Sequence, residues 1–366
     1  MDSTPPGIDF AAIGHQDSWQ NISAMVNSLR SPGQELLTCE KIKNIYSYIP
    51  SSVLFRVKVR SKTGVEINGA YIETFIDPDK LSTHFIRTNI SKVMTAMSRA
   101  KKQGFKIVTL GGFTSIILEG NLDAFETGET KFTTGNSLTA AFIVKGIEKA
   151  ACQLQKDLSQ SNILIIGATG DIGMACCHYL KSRVSKLLLC ARNLKRLAKM
   201  SEDLMKEEIH LQYSVQLQEL LPEADIIISV ASSSGIRLDH CKKNVLICDA
   251  GYPKNIEHQI AENRDVHIFH GGMGQVSCGY DFSPDYSQSM YYYDAPHIAH
   301  GCILEAMVLA FEKKYENYSS SKGNITIKKM EEIYSLGVKH GIVLAPFYNS
   351  KGLWQEERIT GLKNSA

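Results

Sequence analysis

Apolar positions along the chain come in short runs closed by turn residues and in longer stretches of helical spacing. The clearest run is Ile163-Leu164-Ile165-Ile166, which leads straight into Gly167-Ala168-Thr169-Gly170-Asp171-Ile172-Gly173. A continuous aliphatic run before a tight turn is the pattern of a strand buried on both faces of a parallel sheet. The helical pattern from Met174 to Leu180 follows, and then a second aliphatic run, Lys186 to Cys190. Further buried strands are predicted at Asp225–Val230, 244–248 and 266–269. Before this region, Ser52–Arg60 alternates as a half-buried strand does, and Val65–Ile76 is extended beyond Gly64, so a hairpin is expected. A long helix is predicted from Asp77-Pro78 to about Gln103, and a strand at Lys106–Leu110. Asn136 is placed as the N-cap of a helix from Ser137 to Leu158. Late helices are expected from Ile298 to about Tyr315 and from Thr326 to Lys339. Residues 1–11 and the last stretch read as tails.

These elements predict an α/β fold in three parts. An N-terminal α/β domain covers 1–145, and a central Rossmann-like parallel-sheet NADP-binding domain covers 146–293. C-terminal helices occupy 294–366 and carry Cys302. In the central part Gly167 allows the turn, Gly170 lets backbone approach a pyrophosphate, and Gly173 lets helix and strand pack closely. The helix N-terminus, with Thr169, Asp171 and Ile172, then faces phosphate. An NAD-preferring site carries Asp or Glu at the end of the second strand, but this chain offers Arg192, Asn193 and Arg196. A guanidinium there can pair with a 2′-phosphate, so the expected cofactor is NADPH. Loops at the carboxyl ends of later strands are expected around the nicotinamide, namely Ala231-Ser232 and Gly251-Tyr252-Pro253.

Composition narrows the classes. The chain has 366 residues, 43% of them hydrophobic, and a net charge of +2, so no general nucleic-acid or membrane field is indicated. No apolar stretch reaches the roughly 20 residues that span a bilayer. The first ten residues lack the apolar core of a secretory signal. Nine cysteines, an odd number with no C-x-x-C pair, read as reduced thiols in a cytoplasmic protein. From Leu81 to Leu118 there is no acidic residue, while Arg87, Lys92, Arg99, Lys101, Lys102 and Lys106 are basic. This is either a solvated helix face or a docking patch for an acidic partner.

Several segments in one order resemble the cyanobacterial long-chain acyl-(acyl carrier protein) reductases. They are Leu110-Gly111-Gly112-Phe113-Thr114-Ser115-Ile116-Ile117, Phe132-Thr133-Thr134-Gly135-Asn136, Gly167–Gly173, Ala191-Arg192-Asn193, the Asp249–Asn255 loop and Cys302-Ile303-Leu304-Glu305-Ala306-Met307. The likeness runs from about Ile13-Gly14-His15 to Gly341. It departs at Leu138, where the family has a histidine, and over 277–300 with its Tyr291-Tyr292-Tyr293 run. The resemblance implies NADPH-dependent reduction of a fatty acyl thioester to the aldehyde, through an acyl-enzyme on Cys302. The acyl donor would be acyl carrier protein or acyl-CoA, an aldehyde-consuming enzyme could be a partner, and peripheral membrane contact would suit the product.

A cysteine acyl-enzyme splits one difficult reduction into two steps. Its oxyanions need donors, for which Ser115, Thr133, Thr134, Asn136 and glycine-loop N–H groups are candidates. With the helix starting at Ile298, Cys302 lies inside it and gains little from the dipole. His297 and His300 face elsewhere, and Glu305, at i+3, shares the cysteine's face. Glu305 could act as base or orienter, or could equally make a structural hydrogen bond. The sequence Tyr318-Ser319-Ser320-Ser321-Lys322 matches the Y-x-x-x-K of short-chain dehydrogenases, but its serines and Gly323 argue for a loop. Two other classes stay open: a dehydrogenase of the shikimate-dehydrogenase type, which needs no cysteine, and a non-catalytic NADP-binding protein.

Overall fold

The computed structural model describes residues 8–81, 85–118, 128–231, 236–252, 254, 256, 266–285, 293, 295–320 and 324–354. Ser232, Pro253, Tyr291, Tyr292 and Lys322 lie outside the described residues. The chain divides into two compact units. The first gathers Met1–Gly135, Val276–Asn324 and Ser335–Val343, and the second Asn136–Gln275, Ile325–Tyr334 and Leu344–Ala366.

In chain order the first unit begins with β1 (Phe10–Gly14), α1 (Trp19–Ser28), α2 (Cys39–Tyr46), β2 (Ser52–Arg60), β3 (Glu66–Glu73), α3 (Ile86–Lys102), β4 (Ile107–Leu110), α4 (Phe113–Leu118) and β5 (Lys131–Thr133). The second unit supplies α5 (Asn136–Gln153), β6 (Asn162–Ile166), α6 (Asp171–Leu180), β7 (Lys186–Cys190), α7 (Leu194–Met205), β8 (Leu211–Ser214), α8 (Leu217–Leu220), β9 (Ile226–Ser229), β10 (Val245–Asp249) and β11 (Val266–His270). After β12 (Met273–Val276) come β13 (Tyr280–Ser283), β14 (Ile298–His300), α9 (Gly301–Phe311) and α10 (Ile327–His340).

The second unit carries a six-stranded sheet in the order β11-β10-β9-β6-β7-β8. Every pairing in it is parallel. This is the doubly wound Rossmann order, in which the first strand sits beside the point where the winding reverses. β6 is central, so its four aliphatic side chains are buried, as their unbroken run demands. Each contributes about 1.5–3 kcal/mol of apolar burial.

The first unit carries a mixed six-stranded sheet in the order β13-β2-β3-β1-β4-β5. β1 lies in its interior, parallel to both β3 and β4. The sequence reading had treated residues 1–11 as a tail, yet Phe10–Ile13 are buried and their backbone is paired on both sides. FAAIG is too short and too rich in alanine to show strand periodicity. Its alternation becomes visible only once both faces are covered. Ala11 and Ile13 join the core with Val93, Ala96, Met97 and Ala100 of α3. Ala12 joins a second cluster with Phe55, Tyr71 and Ile303 of α9.

Three other expectations change. Pro78–Lys80 is only a single 3-10 turn, closed by Asp77 Oδ1 accepting from the Asp79 N–H at 3.0 Å. Leu81 leaves helical geometry, and α3 starts at Ile86. α5 begins at Asn136 and ends at Gln153, where Gln155 turns off with a positive φ of 55°. Asn136 is therefore the first helical residue and not the cap. The segment 294–366 is not a separate body either. α9 packs on β1, β3 and β4 of the first unit, because a helix apolar on nearly every side must be covered on every side.

Candidate active site

Cys302 sits in the first unit, and α9 starts later than its sequence suggests. Residues 298–300 form a strand, His300 takes the N-cap position with φ −65° and ψ 142°, and Cys302 is the second helical residue. The expectation that it lies well inside the helix is thus corrected. The reason is that Ile298–His300 pair as a strand, so the helical hydrogen bonds begin only at Gly301. The His300 side chain makes no cap hydrogen bond to α9, and the first turn holds no acidic residue, so the positive end of the helix dipole favours negative charge there.

The thiol is half-buried. Burial pushes it up to about 11, and Glu305 pushes the same way, while the N–H groups of Ile303, Gly112 and Cys302 itself hold it down. Gly135 crosses the first turn of α9 at backbone distance. A Cβ on Gly135 would lie 2.2 Å from Cys302 Cα, and φ there is +71°. No other residue fits that crossing.

Glu305 is fully buried. Its Oε1 accepts the Thr133 hydroxyl at 2.5 Å. The same Thr133 oxygen accepts the N–H groups of Gly135 at 3.3 Å and Ser319 at 3.1 Å. Thr134 Oγ1 donates to the Ser319 carbonyl at 2.6 Å, and Ser115 Oγ to the Gly112 carbonyl at 2.8 Å. Three of the four side chains expected to supply oxyanion donors therefore direct their hydroxyl protons at protein oxygens. Asn136, at the start of α5, belongs to the second unit. The donors that meet the sulfur are backbone N–H groups of Gly112 and Ile303.

Two side chains here were given no role from the sequence. His15 is buried, and its Nε2 accepts the Phe113 N–H at 3.0 Å. Tyr293, the described member of the tyrosine run, has its hydroxyl held above the usual range by burial, with the charges of Asp17 and Cys302 adding to it. Position in the fold gives each its role, for His15 lies far from Cys302 in sequence and Tyr293 stands in a stretch where the family likeness departs. His297 has a positive φ of 58° and meets Tyr280 edge-on. Tyr318 is buried beneath the Lys314 ammonium.

Ile303 and Met307 of α9, with Phe10, Ala12, Phe55, Tyr71, Tyr280 and Phe282, border a cavity of about 30 Å³. The Tyr71 hydroxyl donates to Glu73 and the Tyr280 hydroxyl to the Ile298 carbonyl, so the wall is apolar.

In the second unit the glycine turn has the shape the sequence predicts. Gly167 has φ +90°, and a Cβ on Gly173 would lie 2.3 Å from the Gly167 carbonyl oxygen. α6 therefore packs down on the turn, and Gly170, at its N-cap, has no side chain to block the N–H groups. Such a cradle fits a pyrophosphate. Thr169 and Ile172 are half-buried and Asp171 is buried. At the end of β7, Arg192 and Arg196 are exposed. Among the described residues their guanidinium groups make no ion pair. Asn193 caps α7, accepting the Arg196 N–H at 3.0 Å. The Ala231 nitrogen would lie 3.0 Å from a Cβ on Gly167. Asp249, buried at the end of β10, accepts the N–H groups of Gly251 at 3.2 Å and Ile256 at 3.4 Å, and so shapes the loop that bears Tyr252.

Fold and cradle define a dinucleotide-binding oxidoreductase of the Rossmann type. Residues 148–270 match the family model for shikimate/quinate 5-dehydrogenase, a likeness confined to the nucleotide-binding part. A long-chain acyl-(acyl-carrier-protein) reductase of Synechococcus elongatus is 36% identical over 309 residues, 81% of this chain and 88% of that protein. The chain belongs to the long-chain acyl-(acyl-carrier-protein) reductase family. A glutamyl-tRNA reductase of Idiomarina loihiensis is 26% identical over 192 residues, covering 49% of this chain and 43% of that protein. Among solved structures, the glutamyl-tRNA reductase of Methanopyrus kandleri is 20% identical, covers 51% of this chain and 47% of its own, and superposes with a TM-score of 0.29.

Proposed function

We propose that this protein reduces a fatty acyl thioester to the aldehyde through a thioester on Cys302, with NADPH as the reductant. The observation that carries the reading is the placement of the Cys302 sulfur at the start of α9, against the N–H groups of Ile303 and Gly112. The Cys302 thiolate attacks the acyl carbonyl, a C–S bond forms, and the carrier thiolate leaves and takes up a proton. The tetrahedral oxyanion on the way is held by backbone donors, and the helix dipole favours its charge. NADPH, which the Gly167–Gly173 turn would hold, would supply the hydride that turns the Cys302 thioester into the aldehyde and returns the cysteine. Glu305, through Thr133, holds the Gly135 crossing and so orients the nucleophile.

The apolar slot beneath Ile303 and Met307 suits the acyl chain. It is narrow, near the space of one water, so a long chain has to part its walls. The cations at the end of α3, half-buried Arg99 with exposed Lys101 and Lys102, suit an acidic acyl carrier protein. Lys92 is not among them, because its ammonium donates to the carbonyls of Ser47 and Phe75. Among the described residues no helix is long and apolar enough to cross a membrane. We place the enzyme in the cytoplasm, handing its product to an aldehyde-consuming enzyme.

The test is to mix the protein with acyl carrier thioester and no NADPH, then weigh it. A mass gain of one acyl group on Cys302 supports the reading, and unchanged mass sinks it. Two further outcomes are expected. Arg192→Asp weakens NADPH by tenfold or more, as about 1.5–3 kcal/mol per charge-assisted bond implies, and barely changes NADH. Titration by protein fluorescence checks this, and equal losses contradict a 2′-phosphate role. Reversing Arg99, Lys101 and Lys102 to Glu raises KM for carrier-bound substrate by about tenfold or more and leaves acyl-CoA kinetics unchanged. Equal effects on both donors remove the docking assignment.

A further inference from the structure

We infer that His15 is a positioning residue for the nucleophile, acting as a fixed hydrogen-bond acceptor that aims the Gly111–Phe113 turn at Cys302. The inference rests on Cys302 being the reactive thiol. His15 immediately follows β1, the interior strand of the first unit. Its Nε2 accepts the Phe113 N–H at 3.0 Å, and its Nδ1 lies 3.1 Å from the Gln16 carbonyl oxygen. An imidazole nitrogen that accepts an N–H has no proton of its own, so the proton is on Nδ1, donated to Gln16. The ring is held neutral, because burial lowers its pKa. A protonated ring could not accept from Phe113 at all.

The turn that His15 holds needs holding. Gly112 has a positive φ of 58°, and the Gly111 N–H is tied back to the Ile13 carbonyl at 2.9 Å. The turn reaches the sulfur directly, since a Cβ on Gly111 would lie 3.6 Å from Cys302 Sγ. Gly112 then presents its N–H to that sulfur while the next N–H, on Phe113, is taken by His15. Two successive N–H groups are thus divided between nucleophile and imidazole. Removing the acceptor leaves a buried N–H unsatisfied, and the turn can rotate to relieve it.

His15 is itself anchored. Gln16 Nε2 donates to Glu73 at 3.0 Å, and Glu73 also accepts the Tyr71 hydroxyl at 3.2 Å and the Phe75 N–H at 3.1 Å. Glu73 is fully buried, and burial raises it to about 7 against the pull of those three donors. The segment Gly14–Gln16 is therefore pinned at the end of β3 as well as at β4, and the imidazole has little freedom to follow a shifting turn.

The experiment reads the thiol and needs neither acyl donor nor NADPH. In a background where the exposed Cys39, Cys152 and Cys278 are Ser, Cys302 alkylation by iodoacetamide is followed from pH 6 to 10. His15→Leu is expected to slow alkylation on the order of tenfold at neutral pH and to displace the rising limb of the profile to higher pH. His15→Gln, whose Oε1 can accept from Phe113, is expected to restore both. Unchanged profiles in His15→Leu, or a folded His15→Gln that behaves like His15→Leu, would overturn the inference. Nitrogen NMR of the unmutated protein supplies a second reading, with a neutral Nδ1–H ring expected from pH 6 to 8. An Nε2–H or charged ring overturns it even if His15→Leu fails to fold. Normal alkylation without acylation would instead count against the thioester reductase reading and leave this one standing.

Discussion

Replacing Cys302 by Ser is expected to abolish aldehyde formation, lowering kcat by about three orders of magnitude or more, the size seen when an enzyme's nucleophile is removed. NADPH affinity should be unchanged, because the cradle at Gly167–Gly173 belongs to a different unit. The free thiol titrates far above neutrality, burial pushing it up to about 11. Its thiolate fraction, and with it the rate of acyl-adduct formation, should therefore climb about tenfold per pH unit between 7 and 10. The sign follows from the acid itself: below its pKa, raising pH produces more nucleophile. Rapid-quench mass measurement of the adduct gives the slope. A flat profile would mean that the thiol is not the attacking group in its resting state. Retained aldehyde formation in Cys302→Ser would instead favour a dehydrogenase that needs no cysteine.

Gly135→Ala is expected to be the most damaging single methyl group in the first unit. The added Cβ would lie 2.2 Å from Cys302 Cα, 2.5 Å from its Cβ and 2.6 Å from its carbonyl oxygen. Two of these three are backbone atoms at the start of a buried helix, so no rotamer relieves the clash. The φ of +71° adds strain. A loss of about 3 kcal/mol or more, at the severe end for point mutations, is expected in urea unfolding. Gly104→Ala is the control. Its φ is +77°, but nothing lies within 4 Å of the added carbon, so only the backbone strain of about 1 kcal/mol should register. Equal losses would show that backbone strain alone, and not the crossing, limits Gly135.

The second unit was legible in the sequence because its information is local. Ile163–Ile166 is a central strand, and a central parallel strand is apolar at every position. Gly167, Gly170 and Gly173 each answer a steric demand within one turn of each other. The first unit was less legible because its information is distant. Phe10–Gly14 reads as a tail until β3, β4, α3 and α9 surround it. The start of α9 was misplaced by three residues, since Ile298-Ala299-His300 suits a helix as well as a strand and only pairing decides. That small error reversed the electrostatic argument about Cys302. The hydroxyls of Ser115, Thr133 and Thr134 were named as oxyanion donors, but composition could not say where their protons point, which is at protein oxygens. His15 stands at the head of the family likeness but shows no sign of its role, because its partner is a main-chain N–H, which every residue but proline possesses.

The order in which the chain visits the first sheet also bears on how the enzyme is made. β13 closes the edge of that sheet, and Arg60 meets Asp281 across a separation of 221 residues. The nucleophile lies further still along the chain. A ribosome working from the N-terminus therefore synthesises all of the parallel sheet in the second unit before the edge strand or the thiol. A nascent chain can hold a nucleotide cradle while its other half still waits for a strand and a helix. Any product cut short before α9 would lack the cysteine altogether, so incomplete synthesis cannot yield a species that captures acyl groups there.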